Sequence, residues 1–159
     1  MKILRCTLPQ LPDARLLLAE YYEAIGVVHR DTPQMMASYL ADASSGFWIA
    51  YVDDRPAGCV ALRPLPSVAQ AAECKRLYVR PAFRGQHLAG ALLEAMEAHA
   101  ATSGCEWLYL DSNDRLQDAL RLYAARGYQS CERYNDNPEA TVFMRKRLGQ
   151  GAAAPSLTD

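Results

Sequence analysis

The chain reads as a mixed α/β domain, α+β in its ordering, built on a central and largely antiparallel sheet with helices on both faces. Three observations predict this. Strand-like alternation and helix-like periodicity follow one another in the order β, α, α, three strands, α, β, α, two strands, too closely interleaved to form separate layers. With 159 residues, 50% of them hydrophobic, the chain has the size of one domain and can bury a core without staples. Its five cysteines (Cys6, Cys59, Cys74, Cys105, Cys131) are scattered and include no Cys-x-x-Cys pair, so neither a zinc site nor a disulfide framework is expected.

Each element has a local signature. Residues 2–7 form a short strand, closed by Pro9 and Pro12. From Asp13 the apolar residues Leu16, Leu17, Ala19, Tyr22 and Ile25 recur at helical spacing, and Gly26 stops the helix. Thr32-Pro33, a cap residue followed by a first-turn proline, starts a second helix that runs to about Ala43. Phe47 to Val52 and Ala57 to Arg63 are strands joined by the turn Asp53-Asp54-Arg55-Pro56, a β-hairpin. A third strand runs from about Ala72 to Val79 and is halted by Arg80-Pro81. A helix follows from about Gly85 to Ala101, with Leu88, Leu92, Ala95, Met96 and His99 on one face. Glu106 to Asp111 is a strand, Arg115 to Arg126 a helix, and two last strands fit Gln129–Arg133 and Thr141–Arg147. Residues 149–159 show no apolar periodicity and are expected to be a disordered tail, leaving one domain over 1–148.

Charge narrows the function. With 17 Lys+Arg against 18 Asp+Glu, the net charge of −1 gives no footprint for a nucleic-acid or membrane partner. No stretch approaches the ~20 apolar residues of a membrane span. The first residues lack the apolar run of a secretory signal, so a reducing, cytoplasmic setting is expected. No metal site is expected.

The chemically informative stretch runs from Glu73 through Tyr78-Val79-Arg80-Pro81-Ala82-Phe83-Arg84-Gly85-Gln86-His87-Leu88-Ala89-Gly90 to Leu93. A strand ends, a short basic loop follows, and a helix begins. The first N–H groups of a helix lack intrahelical partners, and the dipole makes that end positive. With Arg80 and Arg84 nearby, the arrangement suits a di-anion such as a diphosphate; a plain turn with solvated arginines is the other reading. Gly85-Gln86-His87 lacks the Gly-Lys-Ser/Thr of a Walker loop, and Gly85 with Gly90 does not make a GxGxxG fingerprint.

The segment Arg84-Gly85-Gln86-His87-Leu88-Ala89 resembles motif A of the GNAT superfamily of N-acetyltransferases, Arg/Gln-x-x-Gly-x-Gly/Ala after a strand. The hairpin ending Gly58-Cys59-Val60-Ala61-Leu62-Arg63 is similar to the family's second and third strands. Leu110-Asp111-Ser112, then Ala119-Leu120-Arg121-Leu122-Tyr123 and Gly127-Tyr128, is similar to its fifth strand and fourth helix. Two positions depart from the pattern. His87 stands where the family has glycine, and its ring either points outward or donates to a phosphate oxygen. Leu116 stands where many relatives place an asparagine, so that cofactor contact does not carry over.

The resemblance implies a sheet whose middle strands splay apart and an enzyme using acetyl-coenzyme A. It implies a diphosphate on the backbone of Gly85, Gln86, His87, Leu88, Ala89 and Gly90 beside Arg84, and a pantetheine arm along Leu77, Tyr78 and Val79. An N–H in that strand would polarise the thioester carbonyl. The acceptor must be an uncharged amine, and a lysine-like amine is uncharged in only about one molecule in two thousand at pH 7. Glu73 matches the position of the family's general base, acting through water because it lies ~13 Å along the strand from Leu77. It reads equally as a carboxylate paired across the sheet or with Lys75. Tyr123 matches the family's general acid, although Leu116, Ala119, Leu120 and Tyr123 also share the spacing of a core face. His29 and the tyrosines Tyr21, Tyr22 and Tyr39 line an acceptor cleft or simply pack, His99 reads as structural, and Asp136 and Glu139 attract a cationic amine or are solvated.

The expected activity is therefore acetyl transfer to a primary amine of a small molecule or peptide. The alternative is a non-catalytic acyl-coenzyme A-binding regulatory module. Pairing with a second copy is left open.

Overall fold

The computed structural model describes residues 1–27 and 30–148; His29 and the tail 149–159 lie outside the described residues. Seven strands and four helices alternate along them: β1 (Lys2–Arg5), α1 (Leu11–Ile25), α2 (Pro33–Ala41), β2 (Gly46–Val52), β3 (Arg55–Pro64), β4 (Ala71–Val79), α3 (Leu88–Thr102), β5 (Trp107–Ser112), α4 (Gln117–Ala125), β6 (Gln129–Ser130) and β7 (Val142–Arg147). The strands make one sheet in the order β1-β2-β3-β4-β5-β7-β6. Every pairing is antiparallel except β4 with β5.

Local chemistry accounts for the boundaries. Pro12 sits in the first turn of α1, where a missing N–H costs nothing, so the helix starts at Leu11 instead of after the proline. Gly26 closes it in the left-handed region (φ 77°), donating its N–H to Tyr22 O at 2.9 Å. The Thr32 hydroxyl accepts the Met35 N–H at 3.2 Å and caps α2. Asp53 and Asp54, both at positive φ, turn β2 into β3.

Two boundaries differ from those expected. The helix predicted from Gly85 begins at Leu88, because Gly85 (φ 84°) and His87 (φ 61°) take left-handed backbone that an α-helix does not contain. The strand predicted over Gln129–Arg133 ends at Ser130, and the chain then leaves the sheet to carry Tyr134, Asn135 and Asn137 across its face.

Alternation along the strands splits the core into two halves. Ala72, Cys74, Leu108 and Leu110 pack under α3 with Leu92, Met96 and Tyr123, whereas Cys59 and Ala61 pack under α1 and α2 with Leu17, Tyr22 and Tyr39. Glu73, Lys75, Tyr109 and Asp111, at the alternate positions, face the α1–α2 side.

β4 carries two irregularities that make the site. Cys59 pairs with Tyr78 and Ala61 with Lys75, so β4 holds one residue more than β3 over that stretch. The bulge includes Arg76, whose φ is 62°. In addition, β4 pairs with β5 only at Ala71, Ala72 and Glu73, opposite Trp107, Leu108 and Tyr109. Beyond Glu73 no β4–β5 pairing remains, and the two central strands part.

Candidate active site

The parting of β4 and β5 opens into a cavity of about 1190 Å³ that passes from one side of the sheet to the other. Asp31, Glu73, Leu77, Gly90, Tyr123 and Asn137 are among its lining residues, drawn from the α1–α2 loop, β4, α3, α4 and the β6–β7 loop.

On the α3 side, the turn after Phe83 presents backbone donors. Among the described residues, no N–H from His87 to Gly90 makes a hydrogen bond; the first to do so is Ala91, bonded to His87 O at 3.2 Å. These free donors stand at the positive end of a fifteen-residue helix. A Cβ added to Gly85 would meet nothing within 4 Å, so the loop face is open. The Arg84 side chain folds back, its Nε donating to Val79 O at 3.2 Å. Arg84, Gly85, His87, Leu88, Ala89 and Gly90 all line the cavity, as do Leu77, Tyr78 and Val79; Gln86 does not. His87 is exposed, and its left-handed backbone shows why glycine suits this position.

Tyr123 reaches the cavity from the same side. Its ring is buried against Tyr128, with centroids 5.8 Å apart. Its hydroxyl makes no hydrogen bond to any described residue. Burial pushes its pKa well above the ordinary tyrosine value, with the nearby Cys74 acting in the same direction. The group is therefore a protonated donor at and below the ordinary tyrosine range of pH.

The opposite side of the sheet carries a polar floor. Glu73, 3% exposed, has both carboxylate oxygens engaged. Arg63 Nε donates to Oε1 at 3.0 Å, while Oε2 accepts from the Tyr134 hydroxyl at 2.6 Å and Asn135 Nδ2 at 3.1 Å, with Lys75 Nζ at 3.5 Å. The cross-sheet and along-strand pairings read from the sequence are thus both present. Lys75 continues to Asp111, 3.2 Å from Oδ2, which also accepts from Asn135 and Asn137. Burial opposes ionisation of Asp111, but Lys75 and the two asparagines outweigh it and hold its carboxyl below the usual range.

Asp31, just before α2, lines the same cavity. Asp31 accepts from Arg76 through both carboxylate oxygens and from the Tyr39 hydroxyl at 3.2 Å, while the Tyr22 hydroxyl accepts the Asp31 N–H at 2.9 Å. Tyr22 and Tyr39 are therefore packed supports, and of the three tyrosines flagged from sequence Tyr21 alone lines the cavity. His99 stacks edge-on against Trp48 and bonds Ala43 O, a structural place. Asp136 and Glu139 lie at the cavity's edge, and Leu116 lines it.

The structure brings Glu73 and Tyr123, both expected from the sequence, to one cavity on opposite sides of the sheet, and adds most of the floor, which the sequence reading missed. Asp111, Tyr134, Asn135 and Asn137 sit in segments whose composition reads as strand end and turn. The run Tyr134-Asn135-Asp136-Asn137-Pro138 was the available signal, being richer in amides than a surface turn requires.

Among the described residues, no helix is long and apolar enough to cross a membrane. The acetyltransferase (GNAT) family matches residues 11–128. An uncharacterized N-acetyltransferase of Schizosaccharomyces pombe is 31% identical over 153 residues, spanning 90% of this chain and 92% of its own. A GNAT-family acetyltransferase from Staphylococcus aureus superposes with a TM-score of 0.78 at 15% identity, over 92% of this chain and 98% of that one. The PaiA N-acetyltransferase from Thermoplasma acidophilum, solved in complex with coenzyme A, superposes with a TM-score of 0.68 at 16% identity, over 92% and 98%. At these identities both superpositions speak for the fold.

Proposed function

Because the chain belongs to the GNAT acetyltransferase family and is an N-acetyltransferase, we propose that it passes the acetyl group of acetyl-coenzyme A directly to a primary amine of a small molecule or peptide. One observation carries the reading: the unbonded amides at the start of α3 and the unbonded hydroxyl of Tyr123 open onto the same gap between β4 and β5.

The residues fit such a co-substrate. The amides of His87 to Gly90 offer a diphosphate the donors that the helix leaves unused, and the open face of Gly85 lets the phosphates approach the backbone. Beyond Glu73 the edge of β4 has no partner in β5, which leaves Leu77 to Val79 to hold an extended pantetheine arm. The bulge at Arg76 turns the following backbone out of strand register, and an N–H there would polarise the thioester carbonyl.

Proton handling is divided by the sheet. Tyr123, kept protonated by burial, gives a proton to the departing thiolate on the α3 side. Glu73 receives the proton of the attacking amine on the other side. With both its oxygens engaged by protein donors, it does so through water.

The test is thiol release from acetyl-coenzyme A across a panel of primary amines, repeated with Tyr123→Phe and Glu73→Gln. Amine-dependent release that falls by about 10² or more in either variant is expected. A protein that binds the coenzyme yet never turns over with any amine would be a regulatory binding module instead.

A further inference from the structure

The acceptor side of the cavity is rich in donors and poor in free acceptors. Glu73 is engaged by Arg63, Lys75, Tyr134 and Asn135, Asp111 by Lys75, Asn135 and Asn137, and Asp31 by Arg76 and Tyr39. The Lys75 ammonium, only 9% exposed, is held by two carboxylates. These three carboxylates are thus committed to protein donors rather than open to an ammonium. Asp136 lies at the exposed rim, where water screens its charge.

Arg63 is the contrast. It lines the cavity on the same side of the sheet, its side chain is 33% exposed, and it meets Glu73 through Nε alone. Neither Nη1 nor Nη2 donates to any described residue. A guanidinium carries five N–H donors in a planar fork, and its end-on pair matches the two oxygens of a carboxylate or the oxygens of a phosphate. Glu73 fixes the orientation of that fork by gripping its Nε edge.

We propose that the acceptor is an anionic amine, a molecule carrying an oxyanion group beside its reacting amine, with the oxyanion seated on the Nη edge of Arg63. The inference rests on the acetyl-transfer reading and names the substrate class of that same site. It also suits the chemistry. The amine must enter the reaction uncharged, so binding energy drawn from an anion elsewhere on the acceptor leaves the nitrogen free to lose its proton. A carboxylate held at the ammonium would favour the unreactive form.

The experiment compares matched acceptors that differ only in the anion: a ladder of ω-amino acids from glycine to 6-aminohexanoate, each against the alkylamine lacking its carboxylate, with 3-aminopropylphosphonate against propylamine as the phosphate arm. The readout is the ratio of kcat/KM within each pair, for the wild type, Arg63→Gln and Arg63→Lys. A ratio of tenfold or more in favour of the anionic acceptor is expected for at least one length, falling to within about threefold of unity in Arg63→Gln and partly recovering in Arg63→Lys. Loss of Glu73's partner slows both members of a pair alike, so the ratio reads the anion alone. A larger ratio for the phosphonate than for any carboxylate identifies the phosphate source within the same class. A ratio at or below unity in the wild type, or one that Arg63→Gln leaves in place, overturns the proposal while leaving acetyl transfer standing. Thiol release with none of these amines overturns this acceptor class, and acetyl transfer falls with it only if the whole panel of primary amines is also silent.

Discussion

Arg76 and Asp31 meet in a two-pronged ion pair, Nε to Oδ2 at 3.2 Å and Nη2 to Oδ1 at 3.1 Å, across forty-five positions of sequence. The Asp31 side chain is 1% exposed, and the guanidinium also lies over the rings of Tyr21 and Tyr22. Arg76 occupies left-handed backbone in the middle of a strand, a conformation that costs a residue other than glycine about 1–3 kcal/mol. The clamp offsets that cost and so holds the bulge that aims the β4 backbone into the gap.

If backbone shape is what the clamp secures, Arg76→Gly should keep activity about tenfold better than Arg76→Ala, the rate equivalent of ~1.4 kcal/mol. Asp31→Asn should lower kcat in the wild type and add little in the Arg76→Gly background. Steady-state kinetics on the double-mutant cycle decides it; equal losses in the glycine and alanine variants would mean that side-chain packing, not the bulge, is what matters.

Tyr123→Phe removes a buried hydroxyl at the gap that makes no hydrogen bond to any described residue. A fall in kcat of about 10² is expected, with the coenzyme A dissociation constant changed less than twofold, measured by calorimetry beside single-turnover kinetics. Since burial raises this pKa, the acid form is complete below the ordinary tyrosine value and is lost only as pH rises through the elevated one. The kcat profile should therefore show no alkaline decline from this group up to about pH 10.

His87→Gly relieves positive-φ backbone at an exposed position. Stability should rise by about 0.5–1 kcal/mol, seen as roughly 1–4 °C in melting temperature. If the α3 amides alone hold the diphosphate, coenzyme A binding stays equal or tightens; weakened binding would assign the imidazole a phosphate contact.

Asp31, Asp111 and Glu97 all have carboxyls held below their ordinary range. In each, burial opposes ionisation and is outweighed by partners: Arg76 for Asp31, Lys75 with two asparagines for Asp111, and Arg126, Lys146 and Tyr128 for Glu97. Groups with depressed pKa contribute stability above their unfolded values and lose it as pH falls through the folded ones. Denaturant titrations should show stability level down to about pH 5 and falling below about pH 4, with a shallower slope in Asp111→Asn. An unchanged slope in that variant would remove Asp111 from the acid response.

What the sequence disclosed and what it concealed separate along physical lines. The hairpin at Asp53-Asp54 and the cap at Thr32 are local, set by residues within one turn of each other, and each stands where it was expected; α3 starts three residues later than expected, at Leu88. The bulge at Arg76 is invisible because its left-handed backbone is held by a partner in another element, with no glycine to mark it. The floor is hidden for the same reason: Tyr134 reaches Glu73 across sixty-one positions, and nothing short-range distinguishes its loop from an ordinary turn. Even for Glu73, the three hydrogen-bond donors and the Lys75 ion pair come together only once the sheet is assembled.

The three paired residues joining β4 to β5 leave the sheet divided into two panels. A seam that narrow lets the panels breathe as separate units, and amides flanking it should take up deuterium ahead of those within either panel. A ligand lying in the cleft would touch both panels at once and act as a staple, so its arrival should slow exchange far from any atom it contacts.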